Sequence, residues 1–271
     1  VRFSQVDVFT AVALKGNPLA VVHGADALTA GQMQAFANWT HLSETAFLLA
    51  PTQPQADYRV RIFTPHRELP FAGHPTIGSC HAWLAAGGTP KGDELVQECA
   101  AGLIGLRRRG GRLAFAAPPA RLREVGEATY DHICAALRIT AADIVAAHWL
   151  GDAPAWVAVL LRDAASVLAL QPDFRAMAGL EIGVIGPADG AVDFEVRGFA
   201  PDDGIDEDPV TGSLNAGLAH WLIGSGRAPA RYTAGQGQAL GRDGRVHVEQ
   251  EGATIWIGGD CVTCITGEVT I

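Results

Sequence analysis

Residues 208–218 read DPVTGSLNAGL, and residues 74–84 read HPTIGSCHAWL. Pro75 matches Pro209, Gly78 matches Gly212, Ser79 matches Ser213 and Leu84 matches Leu218, each pair 134 residues apart. A strand-like run closing on proline precedes each stretch, DYRVRIFTP (57–65) and DFEVRGFAP (193–201), with the offset slipped by two. After each loop, apolar residues recur at one-sided helical spacing: Ile77, Cys80 and Leu84 in the first copy, Val210, Leu214, Leu218 and Trp221 in the second. A period this long, present twice, denotes two pseudo-symmetric domains and not a solenoid. Each copy is expected to hold strands and one principal helix. AAPPAR (116–121) is the expected linker, since its prolines leave strand ladders and discourage a helix.

Strands are expected at 6–9, 20–22, 46–49, 59–63, 105–108, 113–116, 156–160, 192–196, 246–248 and 254–257. Minor helices are expected at 29–38, 129–137 and 140–147.

The chain has 271 residues, 48% hydrophobic and 18% charged, enough for a sizeable core. No apolar run reaches the roughly 18–20 residues that span a bilayer. No secretory signal is visible, so a cytoplasmic protein without a membrane partner is expected. The net charge is −9, and the densest basic cluster, RRR at 107–109, reads as a solvated hairpin end; a nucleic-acid partner is not expected. Five cysteines without framework spacing suit free thiols. Cys261 and Cys264 form a lone CxxC in a β-like stretch, where residues three apart point to opposite faces. The nine histidines show no metal-binding spacing, and no metal is expected.

The paired loops carry the chemistry. Proline is favoured in the first helical turn, which makes His74 and Asp208 the expected caps. The first-turn amides then point outward, and Gly78 and Gly212 let something approach the backbone closely. Two such helix N-termini facing each other would hold a carboxylate substrate and the enolate-like charge formed when a neighbouring C–H loses its proton. Each residue also has an ordinary reading: Asp208 as a plain cap, Asp206 and Glu207 as solvated loop acids, His74 as structural, Ser79 and Ser213 as helix-surface hydroxyls. The repeat weighs against these, since independent caps need not share proline, glycine and serine at one offset. Glu44, in HLSETAFLL (41–49), directly precedes an apolar strand with no nearby basic partner. A carboxylate pressed against apolar surface has a raised pKa, which suits proton transfer near neutrality; the alternative is a loop end facing water.

Five segments together resemble the phenazine biosynthesis PhzF-like family, relatives of diaminopimelate epimerase: VDVFTAVALKGNPLAVV (6–22), LSETAFL (42–48), RIFTPHRELPFAGHPTIGS (61–79), IDEDPVTGSLNAG (205–217) and GQGQALGRDGRVHV (235–248). The resemblance implies an α/β (α+β) fold of two similar domains, each a mixed, mostly antiparallel sheet curled around a central helix. The active site is then expected between them, and homodimers are usual. On this basis the domains are placed at 1–117, with the last strand (262–271) as a candidate completion, and at 118–261. Glu44 matches the family's acid/base glutamate, with His74 and Asp208 as further catalytic residues, and Ser43, Gly73, Gly212 and Ser213 fall where the family contacts substrate. Epimerases of the wider fold use two cysteines, and neither loop here holds one; Cys80 lies further along the first helix and is expected to pack. The resulting expectation is a cofactor-independent isomerase of a small carboxylated metabolite, with a dihydro-hydroxyanthranilate as one substrate type. An amino-acid-like racemase and a non-catalytic ligand-binding relative remain the alternatives.

Overall fold

The structure is a computed structural model that describes residues 1–92, 94–151 and 156–271. Its chain divides into two units, Val1–Ala116 with Ile257–Ile271, and Ala117–Trp256.

In the first unit, strand Arg2–Val8 pairs antiparallel with both Cys261–Glu268 and Asn17–Val22. Glu44–Leu49 joins Asn17–Val22 in parallel, and Tyr58–Phe63 then runs antiparallel to it. Leu95–Cys99 is parallel to Tyr58–Phe63, and Gly102–Arg109 and Arg112–Ala116 complete an antiparallel hairpin. The second unit repeats the scheme. Ile144–Leu150 and Trp156–Leu161 are antiparallel, Glu181–Pro187 adds in parallel, and Phe194–Ala200 runs antiparallel. Arg231–Gln236 is parallel to Phe194–Ala200, and Gly244–Glu251 is antiparallel to Arg231–Gln236. The order of pairings from Arg2–Val8 to Gly102–Arg109 is thus the order from Ile144–Leu150 to Gly244–Glu251. In both units a short strand, Glu68–Leu69 or Ile205–Asp208, folds back before the principal helix.

Those helices are Gly73–Ala85 and Gly212–Gly224. The first touches the strands Arg2–Val8, Asn17–Val22, Glu44–Leu49, Tyr58–Phe63, Arg112–Ala116 and Cys261–Glu268, so the sheet curls around it. One-sided amphipathicity was the expectation, but every residue from Gly73 to Cys80 is buried, as befits a helix enclosed by its own sheet. Gly78 is needed for that enclosure. A Cβ there would come within 2.6 Å of Leu19 Cδ2 and 2.8 Å of Val8 Cγ2, so the close approach is to the sheet and not to a substrate. On the outer face of the first sheet, helix Ala30–Thr40 packs Met33 and Ala37 against Val22, Phe47, Leu49 and Phe63. The second unit has the corresponding outer core, formed by Ile133, Leu137, Val157, Val159, Val184, Phe199 and Val167.

Two local expectations are corrected. Residues 140–147 do not form a helix: a single 3-10 turn, Ala141–Asp143, leads into strand Ile144–Leu150. Two β-branched residues, Ile144 and Val145, suit the strand, and antiparallel pairing with Trp156–Leu161 fixes it. Nor are His74 and Asp208 the caps. The first helix starts two residues before Pro75, with Ala72 at the N-cap. The second starts three residues after Pro209, with Thr211 at the N-cap, and Asp208 closes the strand Ile205–Asp208. Antiparallel pairing with Gly198 keeps Asp208 in the sheet.

Candidate active site

Side chains alternate along a strand, and the outer core takes Phe47 and Leu49. Glu44, Ala46 and Leu48 therefore face the principal helix. Glu44 opens its strand, and its Oε2 lies 3.4 Å from His74 Nδ1. The carboxylate side chain is 15% exposed and the imidazole 2%. Burial lowers the His74 pKa to about 3, so the ring is neutral. The contact has ion-pair geometry but joins a carboxyl group to an uncharged imidazole. His74 Nε2 is buried and takes no hydrogen bond from the described residues.

Ser43 and Gly73 flank this pair. The Ser43 hydroxyl donates to Asn17 Oδ1 at 3.1 Å, and Asn17 Nδ2 lies 3.3 Å from His74 Nδ1. Asn17, absent from the expected site, is completely buried between them. Gly73 is the first residue of the helix and is buried. Thr76, one turn in, donates to Ala72 O at 2.8 Å and accepts from Gln97 Nε2 at 3.0 Å, while Gln97 Oε1 accepts from Tyr58 OH at 3.1 Å. These bonds tie the helix start to the sheet below Glu44 and His74.

In the second unit Asp208 is buried, and its Oδ2 accepts the Thr211 hydroxyl at 2.6 Å. Gln236 holds this turn together. Its Nε2 donates to Asp208 O at 3.1 Å and to Thr211 Oγ1 at 2.9 Å, and its Oε1 accepts from Thr211 N and Asn215 Nδ2, both at 3.0 Å. Gly212 opens the helix and is buried. Ser213 follows, and its Oγ accepts from Trp156 Nε1 at 3.3 Å. Gln97 and Gln236 sit on corresponding strands and each pins a threonine at a helix start, a symmetry that the repeat did not reveal because Thr76 and Thr211 are not at matched positions.

Two further residues differ from their simplest reading. Glu207 is not a solvated loop acid: it accepts both ends of a bidentate bond from Arg197, at 2.9 and 2.8 Å, with the two side chains 7% and 6% exposed. Asp206 is exposed. Cys80 is completely buried, and burial pushes its thiol up to about 12, so it packs and supplies no thiolate.

A family model described as phenazine biosynthesis-like protein matches residues 6–267. Antisense-enhancing sequence 1 of Schizosaccharomyces pombe is 36% identical over 289 aligned positions, covering 98% of this chain and 97% of that protein. The trans-2,3-dihydro-3-hydroxyanthranilate isomerase of Pseudomonas aeruginosa is 32% identical, covering 93% of this chain and 91% of that protein. Among solved structures, a PhzF-family phenazine biosynthesis protein of Enterococcus faecalis superposes with a TM-score of 0.82 at 27% identity, covering 100% of this chain and 99% of that one.

Proposed function

The chain belongs to the phenazine biosynthesis-like protein family, and from that premise we propose that it is an isomerase of a small carboxylated metabolite in which Glu44 shuttles the proton. The observation that carries the proposal is the Glu44–His74 pair, a carboxyl group 3.4 Å from a neutral imidazole, both largely withdrawn from water. Glu44 as carboxylate takes a proton from an activated C–H, becomes the acid, and returns that proton to a second carbon on the same face as the double bond moves. The step is internally balanced and calls for no cofactor. First-turn amides near Gly73 and Gly212, with Ser43 and Ser213, are assigned to holding the substrate carboxylate. Asp208 and His74 are assigned to positioning its polar groups. The homodimer implied by the resemblance belongs to the same proposal and is checked by sedimentation equilibrium.

The relative from P. aeruginosa makes trans-2,3-dihydro-3-hydroxyanthranilate the first acid to test. Incubation in D2O with this and other unsaturated or cyclic acids separates the possibilities. Deuterium at a new carbon together with a displaced double bond supports the isomerase. Deuterium at an inverted α-carbon would make the protein an epimerase. Binding without exchange in the wild type would leave a ligand-binding protein.

A further inference from the structure

Asn17 is held more firmly than a residue at a strand start needs to be. Its backbone pairs with Val8, and the preceding turn is gripped by Asp7, whose Oδ2 accepts from Lys15 N at 2.8 Å and Gly16 N at 3.0 Å. Gly16 is required in that turn, since a Cβ there would lie 2.1 Å from the Val8 carbonyl oxygen. The result is a side-chain amide fixed between Ser43 and His74. The Ser43 hydroxyl donates to Oδ1, which turns the Asn17 NH2 group toward His74 Nδ1. An amide N–H can be accepted only by a ring nitrogen that carries its lone pair.

We infer that Asn17 is a positioning residue that locks His74 in the Nε2–H tautomer, leaving Nδ1 as acceptor and Nε2 as the imidazole's only donor. Nε2 is then a buried N–H with no acceptor among the described residues, which makes it a donor reserved for a ligand. Use of Nε2–H in catalysis rests on the proposed isomerase function, whereas the tautomer itself stands on the geometry alone. The neutrality of the ring agrees with its depth of burial.

The test is a long-range ¹H–¹⁵N correlation spectrum of ligand-free, ¹⁵N-histidine-labelled full-length protein at neutral pH, with His74→Gln identifying the resonances. The wild type is expected to show Nδ1 at the pyridine-like, unprotonated shift and Nε2 at the pyrrole-like, protonated shift. In Asn17→Asp, a carboxylate replaces the amide donor, and the two shifts are expected to exchange as the proton moves to Nδ1. A wild-type proton on Nδ1 overturns the inference, and so does a folded Asn17→Asp protein with an unchanged tautomer. If Asn17→Asp does not fold, the wild-type spectrum decides alone. Absence of proton exchange with every acid tried, beside the expected spectrum, would remove the isomerase function and leave the tautomer assignment intact.

Discussion

Gln236 donates to Thr211 Oγ1 at 2.9 Å, which leaves the Thr211 hydroxyl hydrogen directed at Asp208 Oδ2, 2.6 Å away. A single amide thereby orients a hydroxyl, and the hydroxyl orients a carboxylate. Removing Gln236 takes a hydrogen-bond partner from Thr211 N, from Asp208 O and from one donor of Asn215.

Gln236→Ala is therefore expected to destabilise the protein by more than Gln97→Ala, whose loss affects Thr76, Tyr58 and Cys99 but no main-chain group. Each buried group left unsatisfied costs about 1–3 kcal/mol. Urea titration of the two variants checks the order. Equal midpoints would mean that Gln236 is not the organiser of the turn.

Glu44→Gln keeps the size and polarity of the side chain but cannot carry a proton between carbons. Positioned acid–base groups contribute about 10²–10⁴-fold. The expected outcome is a loss of that order in the rate of deuterium incorporation into whichever acid the wild type isomerises, with the thermal midpoint little changed. Retained exchange would move the shuttle away from Glu44.

Arg197 and Glu207 form a buried bidentate pair, and Arg197 Nη1 also donates to Leu170 O at 2.9 Å. Leaving one buried charge without its partner costs about 3–5 kcal/mol. Glu207→Ala should fall in that range by denaturant titration. A double replacement, Arg197→Met with Glu207→Leu, is expected to recover most of the loss. Strict additivity of the two single changes would show that the charges are not coupled.

Glu195 is buried on the strand that carries Arg197, and burial pushes its pKa up to about 7 against the opposing pull of Arg245 and Arg197; Asp243 and Glu207 push in the same direction as burial. A carboxyl group with a raised native pKa favours the folded state fully below its unfolded value of 4.5, and that contribution is lost as pH rises through about 7. Wild-type stability is expected to decline between pH 5 and pH 8 by more than that of Glu195→Gln. Chemical denaturation at several pH values makes the comparison, and parallel profiles would assign the titration to another group.

The repeat was readable because proline, glycine, serine and leucine recur at one fixed spacing, and those residue types mark a loop entering a helix. The helix starts were not readable to the residue. Proline alone predicts the same cap in both copies, whereas Thr76 bonding Ala72 and Thr211 bonding Asp208 start the helices on opposite sides of it. Glu44 and His74 are 30 residues apart in the chain, and their contact is made by a parallel strand pairing and a helix laid across it. No local period encodes such a meeting. The same holds for Asn17, Gln97 and Gln236, whose partners lie on other elements. Each is an ordinary amide until the sheet brings it beneath a helix start. The 140–147 segment was misread because short apolar runs fit helix and strand alike until a neighbour fixes them.

The pairing of Arg2–Val8 with Cys261–Glu268 has a consequence for how the protein is made. Arg2–Val8 is synthesised before one of its two neighbours, Cys261–Glu268, with the whole of Ala117–Trp256 in between. Ala117–Trp256 is contiguous and can close from its own residues alone. The earlier-born unit must wait with one side of Arg2–Val8 unpaired, open to any other chain that offers a strand. Closure of the first unit thus follows synthesis of the whole second unit, and Arg2–Val8 is protected on both sides only after it.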